Sequence, residues 1–254
     1  MIEMKTQFPT AAEAMCSPFK VNPDLPIEEL ARTYAEEKRV RIYGLLAEGA
    51  IELHEQLEAR DDWVHLISTA DGVLEIDQAA RARIHPRRWA RIEAEAHERA
   101  RGGFQYRYYG LRVPDPDDQG TSRNDLLSGF AELMQSDQML DLLRAITGHT
   151  GLAFTDGHAT AYGPGDFLTG HDDNVAGKRR LAAYVFGLTP NWRLEWGGLL
   201  LFHGHRDRTA SGLVPRFNTL DLFAVPQQHS VSQITPAAAH RRLAVTGWLR
   251  GHEP

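Results

Sequence analysis

The sequence predicts a mainly β fold with flanking helices, an antiparallel sandwich or jelly roll, and three observations point to it. From Leu152 onward, short apolar segments are broken by Gly, Pro, Asn and Asp about every ten residues, the rhythm of short strands joined by turns. Before Leu152, apolar residues recur mostly at helical spacing. Apolar residues make up 42% of the 254-residue chain, enough for a sizeable core. The expectation is a single domain, with 1–150 as helix-rich support and 151–254 as the β core.

Each element has its own signal. Pro26 followed by Ile-Glu-Glu-Leu opens a helix to Lys38, with proline and glutamates in the first turn. Val40-Arg-Ile-Tyr-Gly alternates as a strand does. Leu46 to Ala59 has helical periodicity. Trp63-Val-His-Leu-Ile reads as a strand inside an otherwise irregular stretch, 61–85. Arg87 to Arg101 is a charged, alanine-rich helix, and the aromatic alternation of Phe104 to Val113 is a strand. Pro114-Asp-Pro-Asp-Asp-Gln-Gly-Thr-Ser is a loop by its turn residues. Leu126 to Met134 and Gln138 to Thr147 form two short helices. These helices are expected on one outer face, with the early strands extending the sheet edge.

Composition limits the function. A net charge of −6 leaves no basic surplus to neutralise phosphates, which argues against nucleic acid as the main partner. No apolar run reaches membrane-spanning length, so no membrane partner is expected. Cys16 is the single cysteine, so no internal disulfide forms; that fits a reducing cytoplasm. The first residues lack a basic start followed by an apolar stretch, so no signal peptide is expected.

The chemistry-bearing feature is His171-Asp172-Asp173, with His229 lying 58 residues after His171 and Arg242 a further thirteen on. Two imidazoles and one carboxylate form the three-ligand face that holds non-haem Fe(II) and leaves its other positions open. In an extended strand, residues i and i+2 share a side. On that basis His171 and Asp173 grip one metal while Asp172 points away, and His229 comes from a strand alongside. His203 and His205 show the same spacing but precede a polar stretch, and read as the exposed end of a strand. A guanidinium grips a carboxylate through two parallel hydrogen bonds, which suits Arg242 to an anionic co-substrate. Arg241 is the competing arginine, and alternation places the two on opposite sides of the strand.

Six blocks carry a family resemblance. They are Ala161-Tyr-Gly-Pro-Gly-Asp-Phe-Leu-Thr-Gly-His171-Asp-Asp173, then Arg179 to Trp192, Trp196-Gly-Gly-Leu-Leu-Leu-Phe202, Asn218 to Phe223, His229 to Ile234, and Arg242-Leu-Ala-Val-Thr-Gly-Trp248. In this order they resemble the 2-oxoglutarate- and Fe(II)-dependent oxygenases, in particular the prolyl-4-hydroxylase-like branch. The resemblance implies a double-stranded β-helix, a cupin-like jelly roll. It implies Fe(II) on His171, Asp173 and His229, with 2-oxoglutarate and O2 as co-substrates and ascorbate as a further small molecule. It implies co-substrate contacts from Arg242 and Tyr162, with Thr246 on the same strand face as Arg242. Relatives commonly carry a second co-substrate tyrosine where this chain has Gly187; Tyr184 is the substitute considered. Trp248 is expected in the core. The implied activity is hydroxylation of an unactivated C–H bond in a prolyl residue or a proline-like small molecule. Two other readings stay open: a hydroxylase of another amino acid or metabolite, and a cupin-like module that binds metal without turnover. The stretches 204–217 and 61–85 are expected as loops that cover the metal and choose the substrate.

Overall fold

The computed structural model describes residues 17–113, 125–204 and 209–251. The loop expected at 114–122, Cys16 and His205 lie outside them. The first part of the chain supplies β1 (Lys20–Val21), α1 (Ile27–Glu37), β2 (Arg39–Tyr43), β3 (Leu46–Glu48), α2 (Ala50–Ala59), β4 (Val64–Thr69), β5 (Gly72–Ile76), α3 (Gln78–Arg83), α4 (Pro86–Ala100), β6 (Tyr106–Arg112), α5 (Leu126–Gln135) and α6 (Asp137–Thr147). The remainder is β7 (Leu152–Tyr162), β8 (Phe167–His171), β9 (Arg180–Gly187), β10 (Leu200–His203), β11 (Ala210–Leu213), β12 (Thr219–Ala224), β13 (His229–Val231) and β14 (Arg242–Gly251), with one 3-10 turn at Leu194–Trp196.

Strands β2 and β4–β14 join in one curled antiparallel sheet, in the order β11-β10-β13-β8-β6-β7-β14-β9-β12-β2, with β4 pairing β6 and β5 beyond it. The curl lays β10 over β9, β12 and β14: Leu200 and Phe202 pack on Ala183, Val185, Phe223 and Ala244. That is a jelly roll, and its interior is the space between these layers. The opposite face of β7, β9, β12 and β14 is covered by helices. Leu53 and Leu57 of α2, Phe130 of α5 and Leu143 of α6 share one core with Ala159, Phe186, Leu222, Val245 and Leu249. Phe130 stacks on Phe186 at 4.7 Å between centroids.

Three element expectations change. Leu46 to Ala59 divides at Gly49, whose φ of 96° interrupts the helix; a Cβ there would lie 2.5 Å from the Phe19 ring, so the strand-to-helix corner needs glycine. The stretch 61–85 is a hairpin and a helix rather than a loop. Val64–Thr69 pairs with Gly72–Ile76, and Ala70-Asp71 is the turn between them, with Gly72 at φ 127° opening the second strand. The stretch after Gly204 returns as β11, pairing His203 with Ala210, so 204–217 contains a hairpin strand instead of a continuous loop.

Candidate metal centre and anion pocket

His171 is the last residue of β8, and His229 is the first of β13 and its register partner. Their rings lie 4.1 Å apart between centroids. Asp173 does not reach them by strand alternation. The strand has ended, and Asp173 sits in the left-handed region at φ 59°, turning its carboxylate back. Its two oxygens lie 3.5 Å from His171 Nε2 and 3.5 Å from His229 Nε2. The three ligand atoms fall within 4.8 Å of one another.

Second contacts fix the imidazoles. His171 Nδ1 lies 3.0 Å from the Thr169 carbonyl, and His229 Nδ1 lies 2.7 Å from the Gln227 carbonyl. Each Nδ1 therefore donates, which leaves each Nε2 with its lone pair toward Asp173. Burial, together with the neighbouring His171, lowers the His229 pKa to about 4, so its ring is neutral near pH 7. Two imidazole nitrogens and a carboxylate oxygen converging on one point are the donor set of a divalent iron site. Asp172 turns elsewhere: its Oδ1 accepts the Asn174 amide at 3.0 Å. His203 points its Nε2 at Ser230 Oγ, 2.8 Å away, and is outside the converging group.

β14 starts at Arg242 itself, and Arg242, Ala244, Thr246 and Trp248 share its inner face. Arg242 is buried, with its guanidinium 5.2 Å from the centroid of Tyr162, its register partner on β7. Burial lowers its pKa, and no carboxylate among the described residues pairs with it. The one acid nearby, Asp221, is already taken: Arg41 donates Nε to Oδ1 at 2.6 Å and Nη2 to Oδ2 at 2.8 Å. Room for the Arg242 stem comes from Gly198, at φ 67°, where a Cβ would stand 3.2 Å from Arg242 Cδ. Burial pushes the Tyr162 hydroxyl well above the usual phenol range, so it stays a donor. Arg241 is exposed and turns to the outer face, over Tyr109.

Other candidates are placed differently. Thr246 is on the inner face, but its hydroxyl is engaged by the Tyr184 carbonyl at 3.1 Å. Tyr184 lies in the helix-covered core, on the opposite face of β9 from Ala183 and Val185, because alternation sends it outward with Phe186. At Gly187, a Cβ would stand 2.3 Å from the Arg216 carbonyl, so the position has no space for a tyrosine. Trp248 is half-buried on the inner face rather than in the core, with the Arg180 guanidinium 3.5 Å over its ring. Arg180 also lies 3.2 Å from the Asp173 carbonyl and 3.5 Å from its carboxylate. Sequence reasoning missed Arg180 and the Arg41–Asp221 pair. It also missed a line of aromatics, Phe104, Tyr106, Tyr108 and Tyr162, with neighbouring ring centroids 5.2–5.7 Å apart from the surface to the arginine. The alternation of 104–113 was the available signal for that line.

Residues 157–250 match the model of the 2OG-Fe(II) oxygenase superfamily. That stretch, which holds His171, Asp173, His229 and Arg242, is similar to that superfamily. No curated protein matches this chain by sequence. Its fold is similar to a prolyl-4-hydroxylase from Pseudomonas putida, with 20% identity, a TM-score of 0.55, and 89% of this chain and 99% of that chain covered. It is similar to a prolyl hydroxylase from Trichoplax adhaerens, solved with a peptide fragment of the hypoxia inducible factor oxygen degradation domain, at 14% identity and TM-score 0.58, with 89% of each chain covered. It also resembles SnoN, a non-haem α-ketoglutarate-dependent epimerase from nogalamycin biosynthesis, at 12% identity and TM-score 0.52, with 88% of this chain and 80% of that chain covered. Among the described residues no helix is long and apolar enough to cross a membrane.

Proposed function

We propose that this oxygenase hydroxylates an unactivated C–H bond of a prolyl residue or proline-like substrate, using Fe(II) on His171, Asp173 and His229 and 2-oxoglutarate held by Arg242. The observation that carries this is Arg242: a buried cation with no ion-pair partner among the described residues, on the inner face of β14 with Ala244, whose neighbour Phe223 lies 4.7 Å from the His229 ring between centroids. An unpaired buried charge is costly, so the pocket is built for an anion to complete it. Bound iron supplies oxidative decarboxylation of 2-oxoglutarate with O2, and so the means to hydroxylate.

The chain's own residues supply position and exclusion. The Thr169 and Gln227 carbonyls hold the two imidazoles in the ligating tautomer. Arg180 steadies Asp173 from behind. Arg242 grips the far carboxylate of 2-oxoglutarate in a planar contact, and the Tyr162 hydroxyl donates to the same group. Phe202, Phe223 and Val185 keep the enclosure apolar. At the mouth, Phe104 is 52% exposed with its ring 5.5 Å from His171, which offers a proline ring an aromatic surface beside the metal. We place the reaction in the cytoplasm, with ascorbate as an accessory.

A small-molecule substrate on the same machinery is the second reading, favoured by the likeness to SnoN. A metal-binding module without turnover has no use for Arg242. The test is succinate release with Fe(II), O2 and 2-oxoglutarate, with and without prolyl peptides or free proline. Release stimulated by a prolyl substrate supports the reading. Release stimulated only by other small molecules selects the second. No release with any substrate, despite tight iron binding, selects the module.

A further inference from the structure

The outer face of the sheet, behind the pocket, holds a second cavity of ≈ 220 Å³ with residues from β4, α3, β6 and the segment before β14 in its wall. Its floor is the ring of Tyr109, against which His65 stacks at 4.2 Å and 9°. Arg241 lies 4.6 Å over the same Tyr109 ring, and Arg81 lies 3.9 Å over Trp89. Neither guanidinium has a carboxylate within ion-pair distance among the described residues. Arg60, the third arginine of the wall, is committed to Asp62 at 2.6 Å and Asp125 at 2.9 Å. Two acids also line the rim. Asp77 spends Oδ1 on the Ala80 amide at 2.6 Å, and Asp61 is exposed.

His65 is 1% exposed, and its Nδ1 is buried without a hydrogen-bond partner. Its Nε2 faces Asp166 at 3.1 Å, and Asp166 also accepts from Arg107 at 2.9 Å and from the Gly163 amide at 2.8 Å. Burial and Asp166 raise the Tyr109 pKa, while Arg241, Arg107 and Arg81 pull it back. Two forked cations over an aromatic floor, neither with an acidic partner among the described residues, form a cradle for one small anionic group.

We propose that this cavity is a second anion site, distinct from the Arg242 pocket, which takes a phosphate or carboxylate group between Arg81 and Arg241. The site sits one residue from Arg242 in the chain, and through His65 and Asp166 it adjoins the turn that leads into β8 and His171.

The experiment uses the full chain carrying Arg242→Ala, without added iron, so that neither the inner arginine nor the metal takes up the probe. Inorganic phosphate is titrated in one arm and malonate in the other, at constant ionic strength set with chloride. The readouts are tryptophan fluorescence, since Trp63 lines the cavity and Trp89 underlies Arg81, and melting temperature. A saturable response in either arm is expected, and the arm that responds names the group. Arg241→Gln, at an exposed position, should weaken that response at least tenfold, Arg241→Lys should keep only part of it, and Arg81→Gln with Arg241→Gln should abolish it. No saturable response in either arm overturns the proposal. So does an unchanged response in Arg241→Gln with the chloride melting temperature intact.

Discussion

Along β14, Leu243, Val245 and Leu249 face the helices, while Arg242, Ala244, Thr246 and Trp248 face the interior of the jelly roll. β9 divides the same way, with Tyr184 and Phe186 under the helices and Ala183 and Val185 inside. The outward set is almost wholly apolar and close to fully buried. The inward set mixes small residues with a guanidinium that has no ion-pair partner among the described residues. Period-two alternation therefore lets one strand hold the fold with one face and build the site with the other. The helix-covered face gains stability by excluding water from matched apolar surfaces. The inner face gives some of that up, since Ala183 and Ala244 leave room and Arg242 carries a desolvated charge.

If that division is right, the largest effect comes from the inner face at the metal. His171→Ala, Asp173→Ala or His229→Ala should each abolish turnover and weaken Fe(II) binding by well over the roughly 10–100-fold that loss of a supporting residue costs. Asp172→Ala and His203→Ala should keep iron in the same titration. If Asp172→Ala loses iron while Asp173→Ala keeps it, the turn at Asp173 has been misread.

Next is the arginine. Arg242→Ala should raise the 2-oxoglutarate requirement by roughly 2–5 kcal/mol of binding while Fe(II) affinity stays nearly constant. Arg242→Lys should recover only part, because an ammonium cannot make the planar two-bond contact. Arg241→Ala, on the outer face, is the control. Should the defect appear in Arg241→Ala instead, the two faces of β14 exchange roles.

The helix-covered face should respond in the opposite sense. Phe186→Ala removes a ring that is 0% exposed and stacked on Phe130. It should cost about 3–5 kcal/mol of stability, read as a lower melting temperature, with 2-oxoglutarate and Fe(II) affinities per folded molecule unchanged. A weakened iron site at unchanged melting temperature would argue that the faces are not separable.

The sequence made some of this division legible and hid the rest. His171, His229 and Arg242 stand at strand ends where periodicity and turn residues can be read, and alternation put Arg241 and Arg242 on opposite sides. Asp173 stands beside the two imidazoles through a left-handed turn and not through strand alternation, and such a turn leaves no periodic trace. Tyr184 was placed in the pocket on aromatic identity, although its own parity with Phe186 sends it outward. The hairpin at Ala70-Asp71 carries a turn signal in Asp71 and the Gly72 that follows it, lost inside an otherwise irregular stretch. The Arg41–Asp221 pair joins residues 180 positions apart, and no local pattern reports such a contact.

The smallest expected effect sharpens the comparison through pH. Burial and the neighbouring His171 hold the His229 pKa down, from 6.5 to about 4, and burial also lowers that of His158 on the inner face of β7. In the unfolded chain these rings take up protons near 6.5; folded, His229 resists until about 4. Between those values the unfolded state binds more protons, so stability falls as pH falls, is fully present above about 6.5 and is lost by about 4. For His229 the loss is on the order of 3 kcal/mol. Melting temperatures of the iron-free chain, followed from pH 7 downward, should drop more steeply in wild type than in His229→Gln, which has no proton to gain there. His149, lowered by burial near Lys38 at the end of α1, gives the helix-side control in His149→Gln. Equal slopes for wild type and His229→Gln, with the whole effect moved to His149→Gln, would place the acid-labile burial under the helices and reverse the assignment of the two faces.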